Sequence, residues 1–153
     1  MEKQNFYDLN FDQLKNFLIE KANVENNKAN MRAQQMFNAV YKKNIKNFDE
    51  LTTFSLDLRE KIKKLISLAK PKIIDIQKSK DGTIKFLLEL KDKRNVETVL
   101  IPDKSQSRFT ICLSVSVGCY LSCEFCATAQ ISKNLVRNLS AGEIISQIIL
   151  CKD

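Results

Sequence analysis

Three cysteines lie within eight residues, in the run Gly118-Cys119-Tyr120-Leu121-Ser122-Cys123-Glu124-Phe125-Cys126. Three thiolates on one short loop can hold three irons of a cubane cluster and leave the fourth iron open to bind and reduce a substrate. Clusters that only transfer electrons are held by four cysteines. Gly118 lets the backbone turn sharply as it enters the loop. Two other readings stay open. A structural zinc site needs four ligands, and without histidine the fourth would be Cys112 or Cys151. Three neighbouring cysteines can also be inert and buried.

Composition removes several alternatives. The 153 residues contain no histidine, which excludes Ser-His-Asp and Cys-His nucleophile pairs, histidine-ligated zinc or haem, and a histidine pH switch. The three glycines, Gly82, Gly118 and Gly142, are too scattered for a G-x-G-x-x-G turn or a P-loop. The first residues, MEKQNFYDLN, carry no apolar signal region, and the uncharged stretch from Phe109 to Cys123 is too short to span a bilayer. Clustered cysteines in such a chain point to metal ligation in a reducing, cytoplasmic setting with no membrane partner.

The formal net charge of +7 is concentrated. Residues 1–58 balance 8 basic against 8 acidic side chains, residues 59–104 carry 13 against 7, and residues 105–153 carry 4 against 3. The excess includes Lys61, Lys63, Lys64, Lys78, Lys80 and Lys85. A solvated lysine surface is one explanation, and a patch that tracks RNA phosphates is the other. Lysine outnumbers arginine there, which favours backbone contact over bidentate base reading.

The elements that must position these groups can be read from periodicity. Asn10 and Gln13 form a capping box ahead of Phe11, Leu14, Phe17 and Leu18 at helical spacing. A second helix is expected over Ala29 to Lys43, with Met36, Phe37, Val40 and Tyr41 inward. A third is capped by Ser55 and carries Leu58, Ile62, Leu65 and Ile66. Beyond Pro71 the pattern becomes strands: Lys72 to Lys78 and Thr83 to Leu90 around a two-residue Asp81-Gly82 turn, then Val96 to Ile101. Phe109 to Val117 alternates, with Cys112, Ser114 and Ser116 on the polar side, so Cys112 is read as facing away from the core. A capping box at Ser140 and Glu143 starts a helix whose Ile144, Ile145, Ile148 and Ile149 form an apolar stripe.

The cysteine loop resembles the cluster motif of radical-SAM enzymes, and its surroundings resemble the RlmN and Cfr family of radical-SAM RNA methyltransferases. The resemblance is carried by Arg32-Ala33-Gln34-Gln35, by Asn47-Phe48-Asp49-Glu50-Leu51-Thr52, by Lys80-Asp81-Gly82-Thr83, by Val96-Glu97-Thr98-Val99 with Ile101-Pro102, and by Arg137-Asn138-Leu139-Ser140-Ala141-Gly142-Glu143-Ile144. The branch acting on carbon 2 of adenine fits best. The resemblance implies that Cys119, Cys123 and Cys126 bind a [4Fe-4S] cluster whose free iron chelates S-adenosylmethionine. It implies that Cys112, seven residues earlier, resolves a protein-RNA adduct, that Glu97 is an acid near the site, and that 23S rRNA and tRNA are the partners.

These expectations give an α+β organisation. Residues 1–70 would be a small helical RNA-binding module, residues 71–104 a basic antiparallel β-extension, and residues 105–153 the first strand-loop-helix of an incomplete radical-SAM (β/α) barrel. The run Ser114-Val115-Ser116-Val117-Gly118 departs from the family's usual Ser-Ser-Gln-Val-Gly, Ala39 stands where tryptophan is common, and the loop Ala129 to Val136 is about two residues longer. A complete barrel needs about 200 residues or more. The family's glycine-rich S-adenosylmethionine motif and its methyl-carrying cysteine find no match in the sequence. The resulting expectation is an N-terminal fragment that does not turn over alone and whose activity a separately encoded C-terminal half, where one exists, would rescue. A non-catalytic or degenerate RNA-binding fragment and a zinc-binding module are the alternatives.

Overall fold

The computed structural model of the chain describes residues 3–103, 105, 107–121, 123–126 and 136–152. These form two compact units, Met1–Ala69 and Lys70–Asp153.

The first unit is built on three helices, α1 (Phe11–Glu20), α2 (Asn26–Phe37) and α3 (Leu56–Leu65). The α1 capping box is formed: Gln13 N donates to Asn10 Oδ1 and Asn10 N to Gln13 Oε1, both at 2.8 Å. Ser55 Oγ accepts from Leu58 N at 3.4 Å to start α3. Leu14, Leu18, Met36, Val40, Ile62 and Ile66 are buried together with Phe6, each such side chain contributing about 1.5–3 kcal/mol of burial. Phe37 and Tyr41 are only partly buried and stack with Phe6. Two features differ from the periodicity reading. The second helix begins at Asn26 and widens into a π-turn over Asn38–Lys42. A short parallel pair, β1 (Gln4–Asn5) with β2 (Ile66–Ser67), ties the first residues to the end of α3.

The second unit centres on a four-stranded antiparallel sheet in the order β3 (Lys72–Lys78), β4 (Ile84–Glu89), β5 (Asn95–Asp103), β6 (Arg108–Leu113). The first hairpin closes through Ser79 N to Thr83 O at 2.9 Å, so its loop has three residues rather than two, with Gly82 at φ +96. The second hairpin repeats that geometry with Lys93 at φ 66 in the glycine position.

One expected strand is two. The run Phe109 to Val117 ends its pairing with β5 at Leu113, and a separate piece, β7 (Ser116–Val117), pairs with β8 (Arg137–Asn138). Val115, expected on the apolar side, is 62% exposed. The residues from Arg108 to Leu113 therefore pair within the antiparallel sheet. The final helix, α4 (Ala141–Leu150), starts at the Ser140 and Glu143 capping box and packs on the sheet over Leu88, Leu90, Val96, Val117 and Leu139. Its buried side is Gly142, Ser146, Gln147 and Ile149, while Ile144, Ile145 and Ile148 are half-buried, so the helix is rotated relative to the isoleucine stripe.

Candidate functional site

Register places the candidate residues by face. Lys85, Val99 and Cys112 lie opposite one another across β4, β5 and β6, while Glu97 pairs with Leu87. Side chains two apart on a strand share a face, so Lys85, Glu97 and Cys112 stand on one side of the sheet and the core under α4 on the other. Glu97 is diagonal to Cys112, about 7–8 Å away on such a ladder. Lys85 Nζ meets Glu97 Oε1 at 3.0 Å. Cys112 is exposed, as the alternation implied.

The cysteine loop follows β7. Gly118 adopts φ +67, and a Cβ there would meet Val136 Cγ2 at 3.3 Å, so both the turn and the close approach favour glycine. Cys119, Cys123 and Cys126 are half-buried free thiols. Cys126 N donates to Cys123 O at 3.1 Å, and Leu121 N donates to Cys119 Sγ at 3.4 Å. Tyr120, Leu121 and Phe125 are exposed around them. Among the described residues, no three Cys, Asp or Glu side chains converge as a metal-holding group. Ser122 and residues 127–135, which include most of the long connection noted in the sequence, lie outside the described residues.

The six lysines divide between the units. Lys61 pairs with Asp57 at 3.0 Å, and Lys63 with Asp49 at 2.8 Å and Glu60 at 2.7 Å. Those two carboxylates, Asp49 foremost, hold the Lys63 ammonium above its usual range. Lys85 is engaged with Glu97. Lys64, Lys78 and Lys80 are exposed and make no ion pair among the described residues.

Residues 4–68 match the family described as the ribosomal RNA large subunit methyltransferase N-terminal domain, RlmN_N. The chain is 41% identical over 160 residues to the dual-specificity RNA methyltransferase RlmN of Campylobacter fetus subsp. fetus, covering 97% of the chain and 42% of that protein. It is 39% identical over 148 residues to the probable dual-specificity RNA methyltransferase RlmN of Staphylococcus aureus strain JH9, covering 97% and 38%. The crystal structure of a radical SAM methyltransferase from Sphaerobacter thermophilus superposes with a TM-score of 0.81 at 32% identity, over 96% of this chain and 41% of that one. Residues 4–68 thus carry the RlmN N-terminal family domain, and nearly the whole chain is similar to RlmN proteins. It spans about two fifths of the length of the RlmN relatives it matches.

The donor chemistry of the loop fits an iron-sulfur cluster. All three donors are thiols, none is in a disulfide, and the backbone N–H at Leu121 supplies a hydrogen bond to one sulfur, a recognised means of tuning such clusters. Two residues to which the sequence assigned no role are central to this region. Gln147 is fully buried: its Oε1 accepts from Thr98 Oγ1 (2.7 Å) and Ser114 N (3.0 Å), and its Nε2 donates to Ser114 O (2.9 Å) and Glu143 O (3.2 Å). Arg137 binds both oxygens of Glu143 at 2.8 Å and Asp92 Oδ2 at 2.8 Å, which holds both carboxyls below their usual range. A glutamine amid isoleucines reads as solvent-facing; the small residues Gly142 and Ser146 beside it were the available signal of a close-packed side.

Proposed function

We propose that this chain corresponds to the N-terminal portion of a radical-SAM methyltransferase acting on carbon 2 of adenine in 23S rRNA and tRNA. Cys119, Cys123 and Cys126 would hold a [4Fe-4S] cluster. When bound, that cluster supplies reductive cleavage of S-adenosylmethionine at its one iron without a protein ligand. The observation that carries the reading is the all-thiol loop in a chain 41% identical to a dual-specificity RNA methyltransferase.

The chain's own residues have distinct parts. Cys112, exposed on β6, is assigned the part of the resolving thiol that the resemblance implies. Glu97, held through Oε1 by Lys85, presents a carboxylate on the same face as that thiol. Lys64 in the helical unit and Lys78 and Lys80 in the sheet unit are free to meet phosphates, whereas Lys61, Lys63 and Lys85 must first exchange a carboxylate partner. Residues 1–70 would serve as the RNA-binding module, residues 71–104 as the basic extension, and β6 through α4 as the opening strand-loop-helix of the (β/α) barrel. Among the described residues no helix is long and apolar enough to cross a membrane.

The test mixes the anaerobically reconstituted chain with a second polypeptide that supplies the remaining length of an RlmN relative, S-adenosylmethionine and 23S rRNA or tRNA. The expected product is 2-methyladenosine by mass spectrometry, lost with Cys112→Ala or Cys119→Ala. An intact relative that methylates while the cluster-loaded mixture does not would overturn the proposal. Salt-sensitive RNA binding that survives Cys119→Ala, with no product, would leave the RNA-binding fragment as the reading.

A further inference from the structure

We infer that Gln147 is a positioning residue, fixing the path of the chain between Cys112 and the cysteine loop; the inference rests on the function proposed above. Ser114 lies two residues after Cys112 and five before Cys119. If β6 ran on unbroken, Cys112 and Val117 would be held roughly 16 Å apart by an extended strand. Instead the chain changes partners there. Up to Leu113 it pairs with β5, at Ser114 it pairs with the Gln147 amide, Val115 O accepts from Leu139 N at 2.9 Å, and β7 then pairs with β8.

The Gln147 amide offers Ser114 one acceptor and one donor, the same pair a neighbouring strand would offer. With Thr98 and the Glu143 carbonyl it fills all four of its hydrogen-bonding positions in a fully buried setting. An apolar side chain would fill the space and leave Ser114 N–H and C=O without that partner. Ser114 Oγ also donates to Glu97 O at 2.7 Å, so one residue joins α4 to the strand bearing the candidate acid. α4 thus sets how the Cys112 strand ends and where the loop begins.

The test compares the full chain, reconstituted with iron and sulfide without oxygen, with Gln147→Leu, Gln147→Glu and Leu90→Ala. The last destabilises the same core without touching Ser114. Hydrogen exchange at the Ser114 amide and the rate of iron removal by a chelator are read at temperatures matched for distance below each melting point. Gln147→Leu is expected to lose protection at Ser114 and to release iron about tenfold faster than Leu90→Ala, the scale seen when groups supporting metal ligands are removed. Gln147→Glu retains the acceptor for Ser114 N but not the donor, and falls between them. Equal exchange and equal iron release in Gln147→Leu and Leu90→Ala would overturn the inference. If Gln147→Leu does not fold, Gln147→Glu carries the same comparison. If the parent chain takes up no iron, the proposed function fails while Ser114 exchange still decides the role of Gln147.

Discussion

Arg137→Met is the substitution whose effect follows most directly from geometry. The guanidinium makes a two-pronged contact with Glu143 at 2.8 Å on each oxygen and reaches Asp92 in the β4 to β5 turn at 2.8 Å, so it joins β8, the start of α4 and a hairpin. Arg137 and Glu143 side chains are 31% and 21% exposed, so water screens part of the attraction. Charged hydrogen bonds contribute about 1.5–3 kcal/mol each when shielded, and discounting for exposure leaves about 2 kcal/mol for the pair. Asp92, 37% exposed, adds a few tenths at most. For a unit of this size about 2 kcal/mol lowers Tm by roughly 10 °C. The pH dependence has a definite sign. Both carboxyls have folded-state pKa values depressed by Arg137, so their contribution is complete above the ordinary carboxyl range near pH 4 to 4.5 and is lost as pH falls below about 4. Denaturant unfolding of both proteins from pH 7 to pH 3 should show a gap of about 2 kcal/mol that closes on the acid side. A gap that stays constant over that range, or one below about 0.5 kcal/mol at pH 7, would refute the reasoning.

Lys93→Gly should raise stability by about 1 kcal/mol, because φ 66 is costly for a side chain with a Cβ and the lysine end of the Glu89 ion pair it gives up is exposed; calorimetry would show a higher Tm. Gly118→Ala should cost about 1–2 kcal/mol through positive φ and the contact with Val136, and should reduce iron retained after reconstitution; unchanged melting would contradict this. Replacing Lys64, Lys78 and Lys80 by Ala should lower the slope of log affinity for RNA against log salt by about 0.7–0.9 per residue, with smaller effects at Lys61, Lys63 and Lys85; equal slopes in the two sets would count against free lysines as the phosphate contacts.

Local rules account for what the sequence disclosed. The capping boxes at Asn10 and Ser140, the Ser55 cap and the apolar stripes of α1 and α3 depend on neighbours three or four residues away, and they are present in the structure. The side of Cys112 followed from alternation alone. What was hidden depends on distant partners. The strand break after Leu113 is set by Gln147, 33 residues from Ser114, and no local pattern marks it. The rotation of α4 follows from the same contact, because four hydrogen bonds on a buried amide outweigh the more regular isoleucine stripe. The three-residue hairpin loop at Gly82 differed because Asp81 accepts from Thr83 N and Thr83 Oγ1, holding Thr83 at the loop's end. Half of the basic candidates turned out to be paired with carboxylates, which charge counting along a chain does not reveal.

The central claim is that three sulfurs hold an iron cluster. Iron, sulfide and zinc analysis of the chain reconstituted without oxygen, beside Cys119→Ser, Cys123→Ser and Cys126→Ser, tests it most directly. The account predicts about four irons and four sulfides per chain, with loss in each single variant and retention in Cys151→Ser. About one zinc and no iron, or iron uptake indifferent to all three substitutions, would contradict it.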